Sequence, residues 1–229
     1  MPKKPSSLSA QVYSRLRHEI IGGTFAPEEP LRLAQLKDRY GVGFSPLREA
    51  LTRLSAEGLV SAEAMRGFYV APLSLEDLYD TIETRIFVET EALRRSIERG
   101  GDDWEARIVS ALHGFKLQLG RRDENNPESL ETLEDRHRDF HFALVSASGS
   151  ARMQAIIETL YVGSARYRVL RPGHQSAYPI RDLEVEHSAI AEAALGRETG
   201  QAIRLLEDHY RRTAEGLELA HQGKLKATA

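Results

Sequence analysis

Cysteine is absent from the chain. Its absence excludes disulfides, thiolate metal sites and cysteine nucleophiles, and leaves histidine as the strongest metal-ligating side chain present. Long apolar runs are missing too: none approaches the roughly 18 residues that would span a bilayer, and the opening MPKKPSSLSA has no apolar signal-peptide core. The expected compartment is therefore the cytoplasm, with no membrane partner. Neither charge sign dominates, since the net formal charge is −3. The chain is thus not basic throughout. The balance is uneven, however. Residues 1–72 carry 10 Lys+Arg against 7 Asp+Glu, and the remainder 21 against 27, as expected of a basic module joined to an acidic one.

At 229 residues the chain can bury a sizeable core, as one large domain or a small one followed by a medium one. Leu8, Val12, Leu16 and Ile20 recur at helical spacing up to Gly22-Gly23. LRLAQLKDRYG is a second helix ending at Gly41. A third runs from Ser45, a candidate N-cap, and Pro46, suited to the first turn, through to Gly58. LVSAEA and GFYVAPL then alternate as short strands around an MRG tip. Helix, helix, turn, helix, hairpin is the order of a winged helix-turn-helix. From Ser74 the character changes. SLED is a capping box for a long amphipathic helix ending at Gly100-Gly101, and further helices are predicted near 102–120, 128–148, 150–170, 179–196 and 200–222. DENNP, SGS, RPGHQSAYP and LGRETG punctuate them. The expected fold is mainly α: a winged helix-turn-helix over 1–72, then an all-α bundle of six or seven helices over 73–229.

A recognition helix needs short side chains near the backbone of its first turn and basic groups that reach base edges or phosphates. GVGFSPLREAL offers Ser45 and Arg48, while Arg53, the wing-tip Arg66 and Gly67 are further candidates for DNA contact. A solvated helix face explains Arg48 equally well from spacing alone. In the bundle, RHRDFH places His137 and His141 one helical turn apart. His187 and His209 lie symmetrically about Glu198, each about 11 residues or roughly 16 Å from the intervening turn if the flanking helices pair antiparallel. Four imidazoles could then converge inside the bundle, as in other helix-bundle metal sites. Such ligands suit Zn²⁺, Ni²⁺ or another borderline transition metal better than Ca²⁺ or Mg²⁺. Separate surface or hydrogen-bonded histidines are the competing reading.

The run from Val12 to Val70 resembles the DNA-binding domain of the GntR family of bacterial transcription regulators, in its G-x-F-x-P loop, GV-x-x-[ST]-P-[LV]-REAL helix, EGLV strand and RGF-x-V wing. That resemblance implies operator binding by a homodimer on a palindrome. Where the family commonly places a guanine-reading arginine, this chain has Phe44, preceded by Gly43. Residues 74–222 resemble the FCD domain of the FadR subfamily in D-L-Y-D-x-x-E-x-R-x-x-x-E, F-H-x-A-L-V-x-A-S-G and E-H-x-A-I-x-x-A-x-L-x-R. Metal-binding members use an aspartate and three histidines. His141, His187 and His209 match the histidines, and His137 stands at the carboxylate position.

The all-nitrogen set would carry less negative charge and repel an anionic effector less. Asp135 and Asp139 fall on other faces of the helix. Arg85 matches the arginine of the E-x-R motif and is the candidate clamp for a carboxylate effector, with Arg166, Tyr167 and Arg168 as further donors; interhelical ion pairing is the alternative for all of them. ERGGDDWEA and HRDFH-x-A-L-V add a resemblance within the subfamily to a carbon-starvation repressor. It implies repression of catabolic genes relieved by a glutarate-like dicarboxylate. A zinc hydrolase is the competing class. It is disfavoured because H-E-x-x-H is absent, no glutamate is placed as a general base, and the winged module would go unexplained. A regulator whose helical domain holds only a structural metal, or none, is the remaining alternative.

Overall fold

The computed structural model describes residues 7–63, 65–123, 126–169 and 182–227, with side chains described throughout except at Pro127, Val169 and 220–227. The expected RPGHQSAYP connection, with His174, lies outside these residues, as does the side chain of His221. Contacts divide the chain into two compact units.

The first unit begins with α1 (Leu8–Ile21), α2 (Leu33–Tyr40) and α3 (Phe44–Ala56). Val12, Leu16 and Ile20 of α1 share one buried cluster with Leu47, Ala50, Leu51 and Leu54 of α3. Each fully buried leucine contributes about 1.5–3 kcal/mol relative to exposure. Ser7 caps α1, its side chain accepting from the Ala10 N–H. Gly41 ends α2 in the left-handed region at φ 66°, a conformation that glycine reaches without steric cost. The start of α3 differs from the sequence expectation: Gly43 is the N-cap, with no side-chain cap hydrogen bond, and Ser45 lies inside the first turn. Extended Gly43 and the Pro46 ring set the entry two residues earlier than the Ser-Pro pair suggests.

β1 (Val60–Glu63) and β2 (Gly67–Val70) pair antiparallel, with Val60 opposite Val70. The expected second strand is shorter than GFYVAPL because pairing stops at Val70. An unforeseen bridge joins Pro30 to Tyr69, reinforced by the Leu31 N–H to Phe68 carbonyl bond at 2.8 Å.

The second unit contains α4 (Leu75–Arg99), α5 (Asp102–Gly120), α6 (Pro127–Val145), α7 (Ala151–Val169) up to Tyr161, α8 (Leu183–Leu195) and α9 (Thr199–Ala227). From Val162 onward α7 groups with the first unit. The buried face of α4 repeats at helical spacing: Leu78, Ile82, Arg85, Ile86, Glu89, Ala92, Leu93, Ser96 and Ile97. Two charged residues therefore sit in the middle of an apolar stripe, which only mutual pairing makes tolerable. At the α4–α5 corner, a Cβ on Gly100 would lie 2.4 Å from the Trp104 ring. The indole N–H in turn donates to the Leu144 carbonyl at 3.1 Å. Mainly helical architecture with an N-terminal winged helix-turn-helix is thus what the chain adopts, and no described helix is long and apolar enough to cross a membrane.

Candidate functional site

His137 and His141 project from α6, His187 from α8 and His209 from α9, and their imidazoles meet inside the bundle. One nitrogen from each ring can be chosen so that all four lie within 4.8 Å of one another. His141, His187 and His209 are buried and His137 is half-buried. The level placement expected for the α8–α9 pair is realised, with the His187 and His209 ring centroids 4.6 Å apart. Phe115 of α5 and Phe140 of α6 close the apolar side of the cluster, 4.5 Å and 5.2 Å from the His187 ring.

The outer partners assign the tautomers. His187 Nδ1 lies 2.6 Å from the Leu183 carbonyl, which can only accept, so that nitrogen carries hydrogen. His209 Nδ1 lies 2.9 Å from a Glu186 carboxylate oxygen and donates for the same reason. Tyr161 directs its hydroxyl hydrogen to Glu134 Oε1 at 2.8 Å, leaving its oxygen to accept from His137 Nδ1 at 3.2 Å. Tyr210 spends its hydrogen on Glu89 Oε2 at 2.5 Å and accepts from His141 Nδ1 at 3.1 Å. All four rings therefore carry hydrogen on Nδ1, and each Nε2 keeps a lone pair for the interior. This is the arrangement by which hydrogen-bonded imidazoles present themselves to a metal ion.

Burial, first, and then the neighbouring His137, His209, His187 and Arg85 hold the His141 imidazole well below its ordinary pKa, so it stays neutral and able to ligate. Zn–N bonds of about 2.0–2.1 Å place neighbouring nitrogens of a tetrahedral site roughly 3.3 Å apart. The His137 and His141 Nε2 atoms are separated by 3.1 Å. The donor set, the assigned tautomers and the His137–His141 spacing fit a borderline divalent ion. Asp135 and Asp139 are exposed, and Asp139 faces Arg136 at 3.5 Å.

Arg85 is buried beside this cluster. Its Nε donates to Glu89 Oε1 at 2.8 Å and its terminal nitrogen to the Tyr210 hydroxyl at 3.0 Å, with the guanidinium 4.3 Å from the Tyr210 ring centroid. Tyr210 thus touches Arg85, Glu89 and His141. Arg166 and Tyr167 have other partners. Arg166 donates to the carbonyls of Gly58 (3.2 Å), Ala71 and Pro72 (3.1 Å), and the Tyr167 hydroxyl donates to the Ser74 carbonyl at 3.1 Å. These bonds hold the segment after β2, and Arg168 bonds Ser164 at 3.2 Å. Sequence reasoning missed Glu134, Tyr161, Glu186 and Tyr210. Only Glu134, three residues before His137 on the same helix face, carried a local signal.

In the first unit, Ser45, Arg48 and Arg53 are all exposed on α3. Arg48 lines one surface depression with Arg32, Arg66 and Gly67, so the exposed arginine of α3 and the wing tip converge. Arg66 pairs with Glu63 at 3.2 Å, and the Arg53 guanidinium lies 3.8 Å from the Tyr13 ring centroid.

A helix presenting exposed arginine beside a two-stranded wing, joined to a helical bundle enclosing four imidazoles, is the architecture of a DNA-binding transcription regulator. Residues 8–70 match the bacterial regulatory proteins of the gntR family, and residues 80–212 match the FCD domain. The chain belongs to the GntR family and carries an FCD domain. It is 41% identical over 204 residues to the helix-turn-helix transcriptional regulator BphR of Paraburkholderia xenovorans, covering 89% of this chain and 82% of that one. It is 36% identical over 200 residues to the transcriptional repressor GlaR of Escherichia coli, covering 86% and 90%. The solved structure of E. coli McbR/YncC shares the fold, with a TM-score of 0.73 at 19% identity over 96% of this chain and all of that one. These families and relatives are transcription regulators, not enzymes.

Proposed function

We propose that the chain is a homodimeric, ligand-responsive transcriptional repressor whose operator affinity is set by a small carboxylate bound near a metal ion in the helical domain. The observation that carries this reading is that His137, His141, His187 and His209 each have a hydrogen-bond partner at Nδ1, outside the cluster, which assigns their hydrogens there. Four such nitrogens would hold Zn²⁺ or Ni²⁺, and the bound ion would supply a Lewis-acidic centre for a carboxylate oxygen. Four neutral ligands leave the ion's double positive charge unquenched, which favours an anionic effector. Arg85 stands ready as the second anchor. Its present carboxylate partner is Glu89, so an entering carboxylate replaces or joins Glu89 at the guanidinium.

Sequence likeness to the repressor GlaR supports repression, and the resemblance of ERGGDDWEA and HRDFH-x-A-L-V to the carbon-starvation repressor CsiR implies catabolic target genes and a glutarate-like dicarboxylate. On the DNA side, Arg48, with Ser45, Arg53, Arg66 and Gly67, is assigned to the operator contact over residues 1–72. A thermal-shift screen of the metal-loaded protein with C4 to C6 dicarboxylates, paired with operator titrations, tests the proposal. Stabilisation by one dicarboxylate together with loss of operator affinity is expected. No response to any of them in either assay would sink it.

A second reading has its own observation. The saturated Arg85–Glu89–Tyr210 network and the depth of the imidazoles equally suit a purely structural metal. That reading requires metal binding without any carboxylate response.

A further inference from the structure

Phe44 is the first residue of α3 and 48% exposed, one of the few large apolar side chains left in water on the first unit. It does not contribute to the cluster built by Val12, Leu16, Leu47 and Leu51, nor to the partly buried residues packed against it. The ring has one described cationic neighbour, Lys37 Nζ of α2, at 5.3 Å from its centroid. A single exposed aromatic is ordinary on a protein surface. The position of this one is not. Phe44 and Arg48 are four residues apart on one helix, so they stand one turn apart, both exposed along one margin of the face that buries Leu47, Leu51 and Leu54. Ser45 and Gly43 flank Phe44 with minimal bulk, which leaves the ring free to approach a base edge.

The chemistry of the two side chains differs in a readable way. In the major groove a guanidinium matches the O6 and N7 acceptors of guanine, whereas an apolar surface matches only the 5-methyl group of thymine. A phenyl ring carries no donor or acceptor and gains nothing from the other base edges. Lys37, beside the ring, supplies a cation of the kind that pairs with backbone phosphate.

We propose that Phe44 is a specificity-determining residue of the operator contact, packing against a thymine methyl adjacent to the base pair met by Arg48. The inference rests on α3 being the helix that enters the groove. Operator affinity then depends on a methyl group at one position per half-site, and that dependence belongs to Phe44.

The test begins with duplexes selected from a random library by the full chain. Each conserved thymine is then replaced by deoxyuridine, which removes the methyl group and leaves every hydrogen-bonding group in place. Binding to the altered duplexes is measured by fluorescence anisotropy for wild type, Phe44→Ala and Arg48→Ala. Wild type should lose about fourfold in affinity per substituted half-site at one position, the factor corresponding to one buried methyl group. Phe44→Ala should bind the thymine and deoxyuridine duplexes equally, and Arg48→Ala should retain the difference. A consensus without thymine, indifference of wild type to deoxyuridine, or undiminished sensitivity in Phe44→Ala would each overturn the proposal. If α3 is not the reading helix, Arg48→Ala binds every duplex like wild type, an outcome that removes the premise rather than Phe44 alone. Because Phe44 lies outside the core, Phe44→Ala should melt like wild type.

Discussion

His137 Nε2 and His141 Nε2 face each other at 3.1 Å, and both nitrogens bear lone pairs because each ring's hydrogen is held on Nδ1 by a tyrosine oxygen. Two acceptors at that distance repel unless a cation or a proton lies between them. Burial of His141 disfavours the proton, so a metal ion is the natural neutraliser.

Acid should weaken the metal-stripped fold. The folded-state pKa of His141 is depressed, whereas in the unfolded chain the ring titrates near 6.5. Below about pH 6.5 the unfolded state takes up a proton that the folded state refuses, so the stability present above that pH is lost as pH falls through the window below it. The loss is about 1.4 kcal/mol for each pH unit per ring in that state. Urea unfolding of chelator-treated protein at pH 7.5 and 5.5 reads this directly, and His141→Gln should flatten the dependence by one ring's share.

Glu186 should tune metal affinity without being a ligand. It accepts from His209 Nδ1 at 2.9 Å, and removing such an outer partner costs about 10- to 100-fold in affinity. Competition of Glu186→Gln with a chromogenic chelator should show a loss in that range, smaller than that of His209→Ala.

Arg85 and Glu89 should behave as a unit. Arg85→Met leaves the buried Glu89 carboxylate without its cation and should cost about 3–5 kcal/mol in chemical denaturation. Adding Glu89→Leu should recover much of the loss. Additive losses in the double variant would show that the pair is not coupled.

Gly100→Ala should destabilise the α4–α5 corner by about 1–3 kcal/mol, because the new Cβ would lie 2.4 Å from the Trp104 ring. Thermal melting with tryptophan fluorescence checks both stability and the ring's environment.

On the DNA side, Arg48→Ala should weaken operator binding by about 1–3 kcal/mol if the guanidinium meets a base. A loss that is uniform across operator variants would reassign it to a phosphate.

Much of this was legible in the chain, for identifiable reasons. Helix order follows from apolar periodicity and from Gly22, Gly41 and Gly100, which obey local rules. The convergence of His187 with His209 was readable because a hairpin converts sequence symmetry into equal height. Their outer partners were not, since Tyr161 and Tyr210 reach His137 and His141 from helices 24 and 69 residues away in sequence, and that depends on packing register. The carbonyl partners of Arg166 were hidden for the same reason. They lie 94 to 108 residues away, and no local pattern announces them. Ser45 misled differently, because Ser-Pro reads as a cap although an extended Gly43 starts the helix earlier.

The most direct test of the four-imidazole centre is a calorimetric titration of Zn²⁺ into chelator-stripped protein, for wild type and His187→Ala. One ion per chain in wild type, with affinity severely reduced in the variant and one proton or fewer released per ion above pH 7, is the expected result. Absence of stoichiometric binding, or a variant that binds as wild type does, would contradict it.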